Sequence, residues 1–516
     1  MNVLKKIFFI FLATILVLVI GLWLFLKTLE PEWVKTYLSK QITLITGLPS
    51  HINGTVSWQV FPTPGVKVNH IQMGEDNIKS KLKLSINDLI LKLQIKPLFH
   101  GKLVFSEIKI DGVDAVIHPN APAPAIIKTT PAKKKESKNK LPPSKIVFAI
   151  ENFHLTNGHI NVIQDEAQYT LNDLHIGLSQ LNLENKYFPL QLTSTLAINS
   201  PKHSGHAAIN YKGKIKLSNE ILYFAQKSLS GFNTIGQLSL SDIKLNQFYI
   251  EKITANTQVQ NNAIQFDPLK VTLYEGESIG NISYQFDTQI IRLNQTATNL
   301  NLEPLLKDLL NKNLMVGKLD LTTHGNARLS DTNWLSSLRV KGGASVKDGK
   351  LLFMDIQALV NELLNRFQTL MSNPTIDPQT ISELTDLKPE EYQKGITKFN
   401  TLNLTYDTPQ SMLLNNSIVL QTNKFELSGQ GVINLQQMTI HNGLNLKLSS
   451  NNNLAKIQAI FSNGIPLLLQ GQLSKPVIYP DMKQISTTLT QYYLKKTLDK
   501  PVKQLKEEVK SFFDSL

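Results

Sequence analysis

Most of the chain beyond residue 30 alternates apolar and polar positions with a period of two. In residues 81–86, Leu82, Leu84 and Ile86 alternate with Lys81, Lys83 and Ser85; Leu89, Leu91, Leu93 and Ile95 then continue on the opposite parity. The phase change near Asp88 predicts a bulge or a turn. The same alternation returns at 103–110, 146–150, 190–198, 214–217, 300–302, 402–406, 425–427 and 444–448. These segments are expected to be strands with one apolar face. Asp111-Gly112, Asn157-Gly158, Asp348-Gly349 and Asn442-Gly443 stand between such runs. Each pair admits positive φ, so each predicts a tight hairpin turn. Similar units such as IKIDGVDAVI and LTNGHINVI suggest an irregular quasi-repeat.

Helical periodicity is rarer. Ile356, Leu359, Val360, Leu363, Leu364, Phe367 and Leu370 follow the three-and-four spacing of one helical face, with Asp355 as candidate N-cap. Residues 305–310 make a shorter candidate, and 377–394 read as helical but broken by Pro389. At the C-terminus Leu498, Val502, Leu505, Val509, Phe512 and Leu516 form an apolar stripe among lysines. There Lys503, Lys506, Phe512 and Phe513 are candidate contacts to an anionic lipid surface, beside the plainer reading of a docked helix. Deleting residues 499–516 is expected to weaken binding to anionic vesicles.

Residues 7–26, from Ile7 through Leu16 and Trp23 to Leu26, form an uncharged apolar run. At about 1.5 Å per residue its length matches a hydrocarbon layer of about 30 Å, which predicts a membrane anchor. Bulky residues continue up to Lys27, unlike the small-residue site of a cleaved signal peptide. Lys5 and Lys6 before the span favour a cytoplasmic N-terminus, so the remainder is expected to be exported.

Composition narrows the chemistry. The net charge of +13 would suit nucleic acid, but seven lysines (Lys128, Lys133, Lys134, Lys135, Lys138, Lys140, Lys145) stand in one tract against Glu136 alone. That tract, rich in Pro and Ala, reads as a flexible loop or linker. The arginines number four (Arg292, Arg328, Arg339, Arg366), which argues against base or backbone readout. With no cysteine, thiol nucleophiles and Cys-ligated zinc are excluded. His154 and His159 differ by an odd number on a strand, so they would face opposite sides. His203 and His206 fall in a Ser/Gly-containing turn without a nearby carboxylate in sequence. No nucleophile elbow, P-loop, dinucleotide fingerprint or H-E-x-x-H occurs, and Glu390-Glu391 and Glu507-Glu508 read as solvated pairs. No catalytic, metal or cofactor residues are assigned, and an enzyme is not expected.

One resemblance emerges from motifs in order along the chain. Gly54, Trp58, Phe61 and Pro62, then Gly65, are followed by Pro97, Leu98 and Gly101 and by the Asp111-Gly112 segment. Asn157-Gly158, LYEGESIGNISY, Asp348-Gly349 and PLLLQGQLSKPVIYPD, with Pro466, Gly471 and Pro476, continue the series. Together these resemble the AsmA family of inner-membrane-anchored periplasmic proteins. The resemblance implies an elongated, curved antiparallel β-sheet with a hydrophobic groove and a few helical caps. It also implies phospholipid handling and support of the outer membrane, in the manner of bridge-like lipid-transfer proteins. Expected partners are acyl chains in the groove, the inner membrane and another envelope protein; no nucleic acid and no cofactor are expected.

The fold class expected is mainly β with few helices after a single N-terminal span. The expected segments are an anchor (1–28), an N-terminal β unit (29–118), the basic linker (119–145), a central β-groove (146–350), a helical insertion (351–395), a C-terminal β unit (396–481) and an amphipathic helix (482–516). Around 25 strands stacked at about 4.8 Å would extend about 120 Å. Two other roles stay open from the residues: an assembly factor for outer-membrane proteins working through a sheet edge, and a scaffold or regulator whose apolar face is a solid core. Trp58 and Phe61 are read either as groove or interfacial aromatics or as a packed end-cap.

Overall fold

The computed structural model describes residues 48–59, 63–74, 82–98, 102–119, 147–218, 231–329, 333–372, 392, 394–410, 412–449, 455–492 and 495, with scattered helical positions between 32 and 43. The chain divides into two compact units, Met1–Asp267 and Pro268–Leu516. The structure is mainly β, with twenty-two strands and few helices among the described residues.

Unit 1 holds β1 (Ser50–Ile52), β2 (Val56–Gln59), β3 (Gly65–Met73), β4 (Leu82–Leu93), β5 (Lys102–Ile117), β6 (Val147–Gln164), β7 (Ala167–Leu181), β8 (Glu184–Asn199), β9 (Ser204–Ser218), β10 (Phe232–Leu245) and β11 (Phe248–Gln260). β1 and β2 both pair with β3, and from β3 each strand pairs with the next in sequence. β12 (Ala263–Leu273) runs across the division. All these pairs are antiparallel except β5–β6, which is parallel and so departs from the wholly antiparallel sheet expected. A parallel neighbour requires a crossover of a dozen or more residues to bring the chain back to the same end. The expected linker 119–145 falls in that crossover; apart from residue 119 it lies outside the described residues.

None of the four Asp-Gly and Asn-Gly pairs forms the hairpin turn expected of it. Asp111-Gly112 lies inside β5 and Asn157-Gly158 inside β6, while Asp348-Gly349 and Asn442-Gly443 lie inside two strands of unit 2. Positive φ at Gly112 (66°), Asn157 (54°) and Asp348 (50°) is real, but the ladder continues through it. A left-handed residue serves a β-bulge as well as a two-residue turn, and the alternation on both sides sustains the strand. The phase change near Asp88 is absorbed within the single strand β4: Asp88 pairs with Asn69 and Asp111, and the residues beside these, His70 and Gly112, both have positive φ. Register shifts follow in β6–β7 near Gly158, in β7–β8 near Asp173 and in β9–β10 near Asp242. In unit 1 such irregularities recur from β3 to β7 and again at β10, while β8 and β9 pair without a break from Tyr187 to Asn199.

The true hairpin turns use residues that carry side chains. Two-residue loops occur at Asp165-Glu166, Asn246-Gln247, Asn261-Asn262 and Tyr274-Glu275, with positive φ at Asp165, Asn246 and both residues of the last two pairs. Left-handed backbone is unusual for an aromatic residue. Tyr274 is held there by donating its hydroxyl to Asp308 Oδ2 at 2.8 Å, while Glu275 pairs with Lys318 at 2.6 Å. Burial, then the Asp308 hydrogen bond, pushes the Tyr274 hydroxyl above its ordinary pKa.

Cover over unit 1 is concentrated at its β1–β5 end. Ile52, Val68, Ile71, Met73, Ile86 and Val113 form a buried cluster, with Ile42 and Leu48 packed against it. The helical positions preceding β1 are tied down there: Ser50 Oγ donates to Ser39 O at 2.6 Å, and Ser50 N donates to Thr43 Oγ1 at 3.1 Å.

Unit 2 holds β13 (Gly276–Gln285), β14 (Ile290–Asn301), β15 (Met315–Arg328), β16 (Arg339–Leu351), β17 (Thr397–Gln410), β18 (Leu413–Gln421), β19 (Phe425–Asn434), β20 (Thr439–Leu448), β21 (Ile465–Gln472) and β22 (Lys475–Pro480), paired antiparallel in chain order. Its helices are Leu302–Leu310, Ile356–Ser372 and Ala455–Ile460, and residues 482–492 are also helical. Leu302, expected in a strand, begins a helix because Asn301 caps it by accepting from Glu303 N. Asp355 caps the long helix as expected, its Oδ1 accepting from Ala358 N at 2.9 Å. That helix buries Ile356, Leu359, Val360, Leu363 and Phe367 in a cluster with Val346, Phe399, Leu420, Leu427, Leu446 and Leu467 from the strands. Ile457, Phe461, Ile485 and Leu489 complete it. Asn442, expected at a turn, is fully buried in β20 and exchanges amide hydrogen bonds with Asn416. Gly431, paired with both in the ladder, leaves room for that contact.

Candidate apolar binding face

The two units treat their apolar faces differently. In unit 2 helices fill it with a packed core. In unit 1, between β7 and β11, register aligns apolar side chains in rows with no helix above them among the described residues. One row is Ile176, Leu192, Tyr211, Leu238 and Ala255; the next is Ser194, Ile209, Leu240 and Ile253. A third contains Leu178, Leu190, Gly213, Gly236 and Thr257. Ile176, Leu178, Leu190, Leu192, Ile209, Leu238, Leu240 and Ile253 are each half-buried, and neither core cluster includes them. The opposite face carries Gln191, Thr193, Asn210, Lys212, Lys214, Gln237 and Asn256, all exposed. This is an amphipathic sheet with no helix over its apolar side among the described residues, although Ser194, Tyr211, Ala255 and Thr257 within it are buried.

Four strand spacings at about 4.8 Å make the face about 19 Å wide. One leaflet of a hydrocarbon layer is about 15 Å, so the width suits an acyl chain laid across the strands. Each methylene removed from water there contributes about 0.8 kcal/mol.

Tyr211 sets the floor. Its ring lies over Gly213 and Gly236, where an added Cβ would come within 2.7 Å of the hydroxyl in both cases. The hydroxyl is hydrogen-bonded to Thr234, and burial pushes its pKa up. Glycine is required here by close approach: Gly236→Ala is expected to lift the ring and cost about 1–3 kcal/mol. A lower urea midpoint and a changed near-ultraviolet tyrosine signal check this.

Polar seams lie along the bulges. Asp88 accepts from Asn69 Nδ2 at 2.6 Å and pairs with Lys67 at 3.1 Å. Asp111 accepts from Thr156 and Asn157, and the Thr156 hydroxyl chiefly holds its carboxyl below the usual carboxylate range. The Lys92 ion pair does the same for Glu107. His159 bonds to Asn172; the bulge at Asn157-Gly158 reverses the strand's phase, so the odd spacing does not place His154 and His159 on opposite faces as expected. His206 does meet a carboxylate, Asp242 at 3.5 Å, which a sequence separation of 36 hides. Among the described residues no group of three or more His, Asp or Glu is placed to hold a metal.

The motif residues are scattered along the strands. Gly54 lies between β1 and β2, and Trp58 stands 41% exposed on β2. Gly65 opens β3, Pro97 and Leu98 end the single turn Ile95–Leu98, and Pro466 is buried in β21. Gly471 and Pro476 flank the β21–β22 turn. Phe61, Pro62, Gly101, the anchor residues Ile7, Leu16, Trp23 and Leu26, and Lys503, Lys506, Phe512 and Phe513 lie outside the described residues, as does most of 377–394. Among the described residues no helix is long and apolar enough to cross a membrane. β10 and β11 are missing from the strands expected above, although Leu238 and Leu240 alternate with Gln237, Ser239 and Ser241. That alternation was the available signal.

A family model described as the AsmA family matches residues 1–239. No curated protein and no solved structure matches the chain. Motif order and family match agree: residues 1–239, which take in β7 to β9, are similar to the AsmA family.

Proposed function

We propose that the chain is a noncatalytic, inner-membrane-anchored periplasmic protein that holds phospholipid acyl chains on the apolar face of β7–β11 and supports lipid supply to the outer membrane. The observation that carries this reading is the run of half-buried leucines and isoleucines in register, with no helix over them among the described residues and a polar face behind. The AsmA family match supports it. In this reading residues 7–26 span the inner membrane with the N-terminus cytoplasmic. The helical positions before β1 then keep the start of unit 1 near the bilayer, where a lipid enters. Its partners are phospholipid, the inner membrane and another envelope protein.

The test is mass spectrometry of lipids extracted from residues 29–516 purified without detergent. Phospholipid in stoichiometric amount is the expected result. Its absence leaves the assembly-factor and scaffold roles.

A further inference from the structure

Three of the four arginines, Arg292, Arg328 and Arg339, gather at one end of the strands of unit 2. Arg292 pairs in register with Asn326, and Asn326 with Arg339, so all three side chains share a face. Arg328 lies two residues beyond Asn326 on that face, opposite Ile290. The row behind is Asn281, Asn294, His324, Lys341 and Asp407. Arg292, Arg328, Arg339 and Lys341 are exposed, and none forms an ion pair with a described residue. Arg366, by contrast, is paired with Glu362. Arg339 is aimed by its own loop, donating to Leu338 O at 2.8 Å.

The loop joining β15 to β16 adds apolar tips at the same end. Leu329 is 48% exposed and Trp334, in the 3-10 turn Trp334–Ser336, is 47% exposed. Asn333 ties the loop to the β17–β18 turn through Met412 Sδ. Guanidiniums without a described ion pair, beside an exposed tryptophan and leucine, suit an anionic bilayer surface: phosphates meet the arginines while the indole and the leucine enter the interface.

We propose that this rim of unit 2 docks on the headgroup layer of an anionic phospholipid surface. The docking involves residues of unit 2 alone, and its failure would leave lipid holding by unit 1 untouched. The full chain, carried in phosphatidylcholine nanodiscs, is mixed with sucrose-loaded vesicles of phosphatidylcholine with or without phosphatidylglycerol. Co-sedimentation only with the phosphatidylglycerol vesicles is expected. The triple variant Arg292→Gln, Arg328→Gln, Arg339→Gln is expected to lower apparent affinity about a hundredfold, since each cation near such a surface adds about fivefold. Leu329→Ser with Trp334→Ser should also weaken it, both variants melting like the parent chain. Co-sedimentation unchanged in both variants would overturn the proposal. So would full displacement by glycerol phosphate at matched ionic strength, which would mark a site for a soluble anion.

Discussion

Leu192→Asp combined with Leu238→Asp is expected to strip bound phospholipid from residues 29–516 while leaving its strands folded. Both side chains flank Tyr211 in one cross-strand row and are half-buried without a helix over them. A carboxylate placed against hydrocarbon costs several kcal/mol unless it is neutralised or hydrated. With acyl chains gone, the same carboxylates face water and cost the protein little. A packed core would respond in the opposite way, since two buried charges there exceed the whole stability of an ordinary domain. Lipid mass spectrometry and a urea titration on the same preparation read both quantities. Lost lipid with a nearly unchanged urea midpoint is the expected pair of results.

Phe367→Ala in unit 2 is expected to do the reverse. Phe367 is 2% exposed, and its ring sits 5.2 Å from that of Phe461, beneath the helix Ile356–Ser372. Truncating a phenylalanine in such a site removes its transfer energy and leaves a cavity, about 3–5 kcal/mol together. The urea midpoint should fall sharply while the lipid content of whatever remains folded is unchanged. A midpoint like that of the parent chain would contradict the packed core assigned to unit 2.

Period-two alternation made the strands legible, and three-and-four spacing made the helix from Ile356 legible down to its Asp355 cap. Turns were less so. Asp111-Gly112 and Asp348-Gly349 carry the positive φ that the residue types suggest, but a bulge and a hairpin draw on the same backbone freedom. What separates them is whether the neighbouring strand continues, which is a tertiary fact. Conversely, Tyr274-Glu275 turns without glycine because Asp308 and Lys318, distant in sequence, hold it. The candidate site divides the same way. Residues 190–198 read clearly as a strand with one apolar face, but nothing local in Leu192 distinguishes it from Leu427. Leu427 lies in a helix-covered cluster and Leu192 does not. Cover, rather than alternation, separates a binding face from a core.

The most direct test places a photo-crosslinking amino acid at Ile209, the middle of the uncovered rows, in the full chain in intact cells, with a second at Leu363 in unit 2. Irradiation followed by mass spectrometry identifies what lies within reach. Phospholipid joined at position 209 and only this chain's own peptides joined at position 363 is the predicted result. Protein crosslinks alone at position 209 would contradict the account, because that face would then be covered by polypeptide.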